Sequence, residues 1–242
     1  MPALARVCEM DLAASAEELA QARLRTDEIF RLVPEELLFE RPIAERHRLA
    51  FYIGHLEAFD VNLLLREHER PKLADPLDRL FAFGIDPTDG KLPRERPEDW
   101  PPLDAIRAYA DRARAHVDEW LGERYLQPHD SRALKRVRTA IEHRWMHAET
   151  LAYLLNHLPL TRPVRDIPAH GREREPDPVT VEAGEVMLGN SGGFGWDNEF
   201  DPHHIALSGF RIDRHMVTNG QFLRFIEAGG YAERRYWCTA DW

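Results

Sequence analysis

The sequence is poor in cysteine. Its 242 residues carry two, Cys8 and Cys238, at opposite ends of the chain. A disulfide framework is thereby excluded, and a reducing cytoplasm is the simplest setting. No apolar run approaches the roughly 18 residues that a membrane-spanning helix needs. The start, Met1 to Leu12, has no long apolar stretch and carries Arg6, Glu9 and Asp11, so it does not read as a signal peptide. Positive charge is also in deficit: 32 Lys and Arg stand against 42 Asp and Glu, a net charge of −10. Neutralising phosphates needs a basic face, so a general nucleic-acid binder is excluded. What is present is enough apolar material, 43% of residues, to build a core rather than a disordered chain. At roughly 150 residues per domain, the length allows one large domain or two smaller ones. Twelve histidines are many for such a chain and direct attention to metal or proton chemistry.

The first 160 residues read as helical. Ser15 to Val33 places Leu19, Ala22, Ile29 and Leu32 among charges, and Pro34 stops it. Pro42 opens a second helix from about Ile43 to Glu69, with Leu49, Tyr52, Leu56, Phe59 and Leu63 at spacings of three and four. A third runs from about Leu103 to Leu121, with Ile106, Tyr109, Ala113, Val117 and Leu121 as its stripe. A fourth runs from about Asp130 to Leu158, with Asp130 or Ser131 as its cap and Pro159 as its end. Between the second and third, Pro71, Pro76, Pro87, Pro93, Pro97, Pro101 and Pro102 forbid one long helix, and a functional loop is expected. Four amphipathic helices make a four-helix bundle over residues 1–160 the expected architecture.

From Thr161 the pattern changes. Residues 161–178 carry Pro163, Pro168, Pro176 and Pro178 with dense charge, as an extended linker does. Residues 179–242 then hold short strand-like pieces, Val179–Glu182, Glu185–Leu188, His204–Leu207 and Phe210–Ile212. One short helix, about Asn219 to Ala228, ends at Gly229–Gly230. The expected class is therefore α+β. A segment of this size is small for an independent domain without disulfides or metal.

His143 and His147 stand four apart on the fourth helix, so both imidazoles leave one face at neighbouring turns. Two ligands hold a metal poorly, and the best third candidate is His55 of the second helix. His55 lies between the core positions Tyr52, Leu56 and Phe59, and Gly54 beside it permits a close approach. Bundles build metal sites from side chains of facing helices. A hydrogen-bonded core histidine is the other reading of position 55. Glu149 lies two residues past His147, roughly 200° around the helix, and fits a supporting acid better than a ligand. His157 is a weaker rival, and His47 reads as surface or structural.

The pattern His143-x3-His147-x-Glu149, with Gly54-His55 upstream, resembles the DinB-type bundle of the ergothioneine-biosynthesis sulfoxide synthases (the EgtB family). The second half adds a separate resemblance, to the start of a formylglycine-generating-enzyme-like (sulfatase-modifying factor) domain of C-type-lectin-like, mixed α/β fold. It rests on Val181-Glu-Ala-Gly184, Met187-Leu188-Gly189, Phe194-Gly195-Trp196-Asp197-Asn198-Glu199, Phe210-Arg-Ile-Asp213, Val217-Thr218-Asn219-Gly220-Gln221-Phe222 and Gly229-Gly230-Tyr231.

The resemblance implies a non-haem Fe(II) held by His55, His143 and His147. It implies an O2-dependent oxidoreductase that joins a thiol, cysteine or gamma-glutamylcysteine, to the imidazole of trimethylhistidine (hercynine), with S-oxygenation. It also implies that arginines after the second helix bind the thiol carboxylate, for which Arg94 and Arg96 are the candidates. Trp196 and Asp197 are candidates for a substrate-side wall, or else for a turn signature. The family's catalytic tyrosine falls beyond residue 242, so the chain is expected to be a truncated frame or a fragment. Alternatives are a selenoneine or ovothiol-type synthase, a DinB-like metal-dependent thiol transferase and an inactive metal-binding fragment.

Overall fold

The computed structural model describes residues 11–65, 77–82, 96–124, 130–160, 175–190, 192 and 194–242. The fold is α+β. The chain divides into two compact units, Met1–Arg162 and Pro163–Trp242.

The first unit is a helical bundle. Its helices are α1 (Leu12–Arg31), α2 (Leu49–Leu64), the single turn α3 (Asp78–Phe81), α4 (Leu103–Arg124) and α5 (Ser131–Leu155). Helix α1 starts where the Asp11 carboxylate accepts the Ala14 N–H at 2.8 Å. The same device starts α5, where Asp130 accepts the N–H groups of Arg132 and Ala133. Helix α1 packs on α5, and α2 packs on both α4 and α5. The apolar stripes become the core: Leu19, Ala22 and Ile29 of α1, Ile106, Tyr109, Ala113 and Val117 of α4, and Val137, Leu151 and Leu154 of α5 are buried.

Several helix boundaries and one stripe residue differ from the sequence reading, α1 starting at Leu12 and α4 running on to Arg124. Leu32 is exposed, because α1 ends at Arg31 and the chain turns before it can continue the stripe. Helix α2 begins at Leu49, not near Ile43. The preceding residues fold back instead, with the Leu49 N–H on the Glu40 carbonyl at 3.2 Å and the Arg48 guanidinium on the Phe39 carbonyl at 2.6 Å. The helix ends at Leu64 with its cap at Leu65, and the end expected near Glu69 falls outside the described residues. Helix α5 ends at Leu155, and short-range turn bonds carry the chain to Leu158.

The second unit contains β1 (Pro178–Val181), β2 (Gly184–Leu188), β3 (His203–Leu207), β4 (Phe210–Asp213) and α6 (Asn219–Glu227). Strand β1 pairs antiparallel with β4, from Pro178↔Asp213 to Val181↔Phe210. Strand β2 pairs antiparallel with β3, from Gly184↔Leu207 to Leu188↔His203. Helix α6 opens with a reciprocal cap: Thr218 Oγ1 accepts the Gln221 N–H, and the Gln221 side chain accepts the Thr218 N–H. Gly229, at φ 78°, ends it in the left-handed region.

Candidate metal centre

Helix α2 carries aromatic side chains at every fourth position: His47 just before it, then Phe51, His55 and Phe59. Residues four apart lie on one face, so these rings form a column. His47 stacks on Phe51 at 4.0 Å between centroids, and Phe51 stacks on His55 at 4.7 Å. Phe59 continues the column by stacking on His143 of α5, at 3.5 Å and 9°. Tyr52 packs against His147 at 5.4 Å. His55, His143 and His147 thus meet between α2 and α5, clamped by aromatic rings.

All three are buried, with exposures of 6%, 5% and 0%. One ring nitrogen from each lies within 4.8 Å of the other two, the only such group of three among the described residues. The Nε2 atoms of His143 and His147 are 3.1 Å apart. His55 Nδ1 donates to the Phe81 carbonyl at 2.8 Å. That bond fixes the tautomer and leaves the His55 Nε2 lone pair free, as metal-ligating imidazoles require. The Nδ1 atoms of His143 and His147 are buried and have no hydrogen-bond partner among the described residues. Protons on those two atoms free both Nε2 lone pairs.

Burial keeps these rings neutral. Desolvation lowers the His55 pKa to about 4, although its bond to Phe81 works the other way. Desolvation, aided by His55, lowers His147 to about 3. His143 is pushed far down by the same burial and by its two histidine neighbours. At neutral pH the centre offers three uncharged nitrogen donors without proton competition, a set that fits Fe(II) or Zn(II).

Phe81 reaches His55 because residue 54 is glycine. A Cβ there would lie 2.5 Å from the Phe81 ring. Helix α3, in a segment expected to be a loop, therefore seats directly on α2 and carries the carbonyl that orients the ligand. Beside the histidines runs a buried charge network that the sequence reading missed. Arg144, fully buried, donates to Asp60 Oδ2 at 2.7 Å and to Glu57 Oε2 at 2.6 Å. Arg114 of α4 joins Glu57 to Asp27 of α1. Arg23 of α1 pairs with Asp118 of α4 and faces Asp60 at 3.7 Å. Burial alone would raise the Glu57 pKa, but the charges of Arg144, Arg114 and Arg23 hold it below the usual range. At Asp60 burial prevails over Arg144 and the pKa is raised. The available signal was two carboxylates inside the apolar run of α2, where an unpaired charge is too costly to bury.

The other candidates do not join the histidines. Glu149, expected as a supporting acid, is exposed, since two residues past His147 is close to the opposite face of α5. His157 is exposed beyond the end of α5, whereas His47, read as surface or structural, is buried in the ring column. Arg94 lies outside the described residues. Arg96 is exposed and pairs with Asp99, which its own backbone N–H also reaches at 2.9 Å. Trp196 and Asp197 form a local turn in the second unit: the Trp196 N–H donates to Glu199 at 2.7 Å, and Asp197 accepts the Asn198 N–H.

Two family models match the chain. Residues 18–151 match the DinB superfamily, and residues 163–242 match the sulfatase-modifying factor enzyme 1-like domain. A Neurospora crassa protein named ergothioneine biosynthesis protein 1 is 28% identical over 229 residues, covering 81% of this chain and 25% of its own length. A Mycolicibacterium smegmatis protein named hercynine oxygenase is 32% identical over 245 residues, covering 94% of this chain and 53% of its own. The chain thus spans between a quarter and about half of the length of these relatives.

Proposed function

We propose, from the premise that the chain belongs to the DinB superfamily, that it is the metal-binding part of an Fe(II)- and O2-dependent sulfoxide synthase. The reaction joins a thiol, cysteine or gamma-glutamylcysteine, to the imidazole of hercynine. The observation that carries this reading is the group of three buried, neutral imidazoles between α2 and α5. The order of its two matched domains and the names of its relatives support the ergothioneine-biosynthesis assignment.

His55, His143 and His147 would hold the iron. When bound, Fe(II) on three imidazoles supplies open positions for O2 and for sulfur and nitrogen ligands. The remaining roles belong to this chain. Phe81 holds the proton of His55 at Nδ1. Phe51 and Phe59 exclude water from the ligand faces. Arg94 and Arg96, with Trp196 and Asp197, are the candidates for substrate contact. The chain is acidic, and aromatic faces and carboxylates suit a cationic trimethylammonium group.

The same donor set suits zinc, which favours one second reading: a DinB-like thiol transferase in which a divalent metal activates a thiolate without O2. An anaerobic Fe(II) titration of the chain beside His147→Ala tests the first reading. One tightly held Fe(II) per chain, lost in the variant, is expected. A chain that rejects Fe(II) and takes zinc overturns the oxygenase reading in favour of the transferase.

A further inference from the structure

We propose that Arg144 is a positioning residue for the metal centre: its guanidinium fork, gripping Glu57 and Asp60, sets the roll of α5 against α2 and so brings His143 and His147 onto His55. This rests on the three-histidine reading above.

The placement carries the argument. Arg144 follows His143 directly and precedes His147 by three residues, while Glu57 and Asp60 lie two and five residues after His55. On α5 the clamp residue therefore lies on a face adjacent to the ligands, whereas on α2 Glu57 and Asp60 lie roughly 200° and 140° around from His55. On α5, Arg144 projects roughly 100° around from His143. Two tie points at different angles fix a rotation that one cannot. The grip is directional: Arg144 Nε reaches Asp60 Oδ2 at 3.0 Å, and Nη2 reaches both Asp60 Oδ2 at 2.7 Å and Glu57 Oε2 at 2.6 Å. A planar fork accepts few orientations, unlike an apolar contact.

The tolerance of the centre makes that rigidity matter. A side chain reaches roughly 6 Å from its helix axis, so a roll of about 10° moves an imidazole nitrogen by about 1 Å. Ligand sets work within about 0.5 Å of their productive geometry. Stability alone does not account for the clamp, because a buried ion pair replaced by well-packed apolar residues is often no less stable.

The test separates positioning from folding by titrating the full chain with Co(II), whose visible absorption reports ligand geometry. The double variant Arg144→Met/Asp60→Leu removes the clamp without stranding a charge, because Glu57 keeps Arg114 and Arg23 keeps Asp118. We expect wild-type helicity and an unchanged or higher urea midpoint, with Co(II) affinity at least tenfold weaker and an altered absorption band. Arg144→Lys, which keeps the charge but loses the fork, should fall between the two. Affinity within twofold of wild type and an identical band in the double variant overturn the proposal. Should the double variant not fold, Arg144→Lys decides alone: weakened binding at full helicity supports positioning, and unchanged binding overturns it. Absence of Co(II) binding by the wild-type chain overturns the three-histidine reading, and this proposal with it.

Discussion

The two units of this chain use similar residue types to different ends. The bundle closes around its apolar residues: Trp120, Phe51, Phe81, Tyr52 and Leu151 are fully buried, and beneath them lie charges and neutral histidines. In the second unit Gly230 is the only buried residue among those described. Its Val186, Met187, Phe210, Ile212, Phe222 and Ile226 are all exposed. Backbone ladders, caps and a partly exposed aromatic cluster of Phe222, Phe225, Tyr231 and Trp237 hold the second unit, whereas a desolvated interior holds the first. Such an interior shifts imidazoles far from their ordinary proton affinity, chiefly by desolvation. The candidate chemistry lies accordingly where the core is.

The contrast yields predictions of decreasing size. Trp120→Ala should cost the bundle about 3–5 kcal/mol by urea unfolding followed through helicity, whereas Ile212→Ala, 57% exposed, should stay within about 0.5 kcal/mol. Equal costs would erase the distinction between the units.

Acid should act next. The pKa of His55 is lowered from 6.5 to about 4 on folding. Above pH 6.5 the ring is neutral in both states and the bundle keeps its full stability. As the pH falls from 6.5 toward 4, the unfolded chain takes up a proton that the folded one refuses. Stability then drops, by about 3 kcal/mol from His55 alone. Unfolding of the metal-free chain at pH 7 and pH 4.5, compared with the His55→Gln variant, measures the share of this position. A pH dependence unchanged in that variant would contradict the assigned burial.

Gly54→Ala should follow. Its methyl would lie 2.5 Å from the Phe81 ring, so α3 must shift, at a cost of about 1–3 kcal/mol against a helix-propensity gain of about 1. Metal affinity should weaken with it, because the Phe81 carbonyl orients His55. Thr218→Ala, which removes the cap of α6, should cost about 1 kcal/mol. Amide exchange should quicken in α6 and stay unchanged in α5.

The helices and the histidine pair were legible in sequence because both follow the 3.6-residue period. His143 and His147 four apart, with an isolated His55, were enough to nominate the ligands. Gly54 was rightly read as a place of close approach, but its neighbour was not, since nothing local to Phe81 in a proline-rich segment marks it as a one-turn helix. The buried network was illegible for a related reason. Arg144 lies more than eighty positions from Glu57 and Asp60 along the chain, and a charge in an amphipathic helix ordinarily faces water. The aromatic column was readable at intervals of four from His47 to Phe59, but a search for apolar stripes passes over histidines. Helix ends were least legible: the start of α2 answers to the fold-back of Arg48 and Leu49 onto Phe39 and Glu40 rather than to a capping residue.

The charge network also governs the order in which the bundle can assemble. Arg23, Asp60, Arg114 and Arg144 draw their partners from α1, α2, α4 and α5 together. A half-built bundle of two or three helices would make only part of this network; in an α2–α5 pair, for example, Glu57 lacks Arg114. Partial structures are therefore penalised, and the four helices should gain and lose their structure in one concerted step. A bundle that folds this way has no stable state in which the three histidines are only loosely assembled.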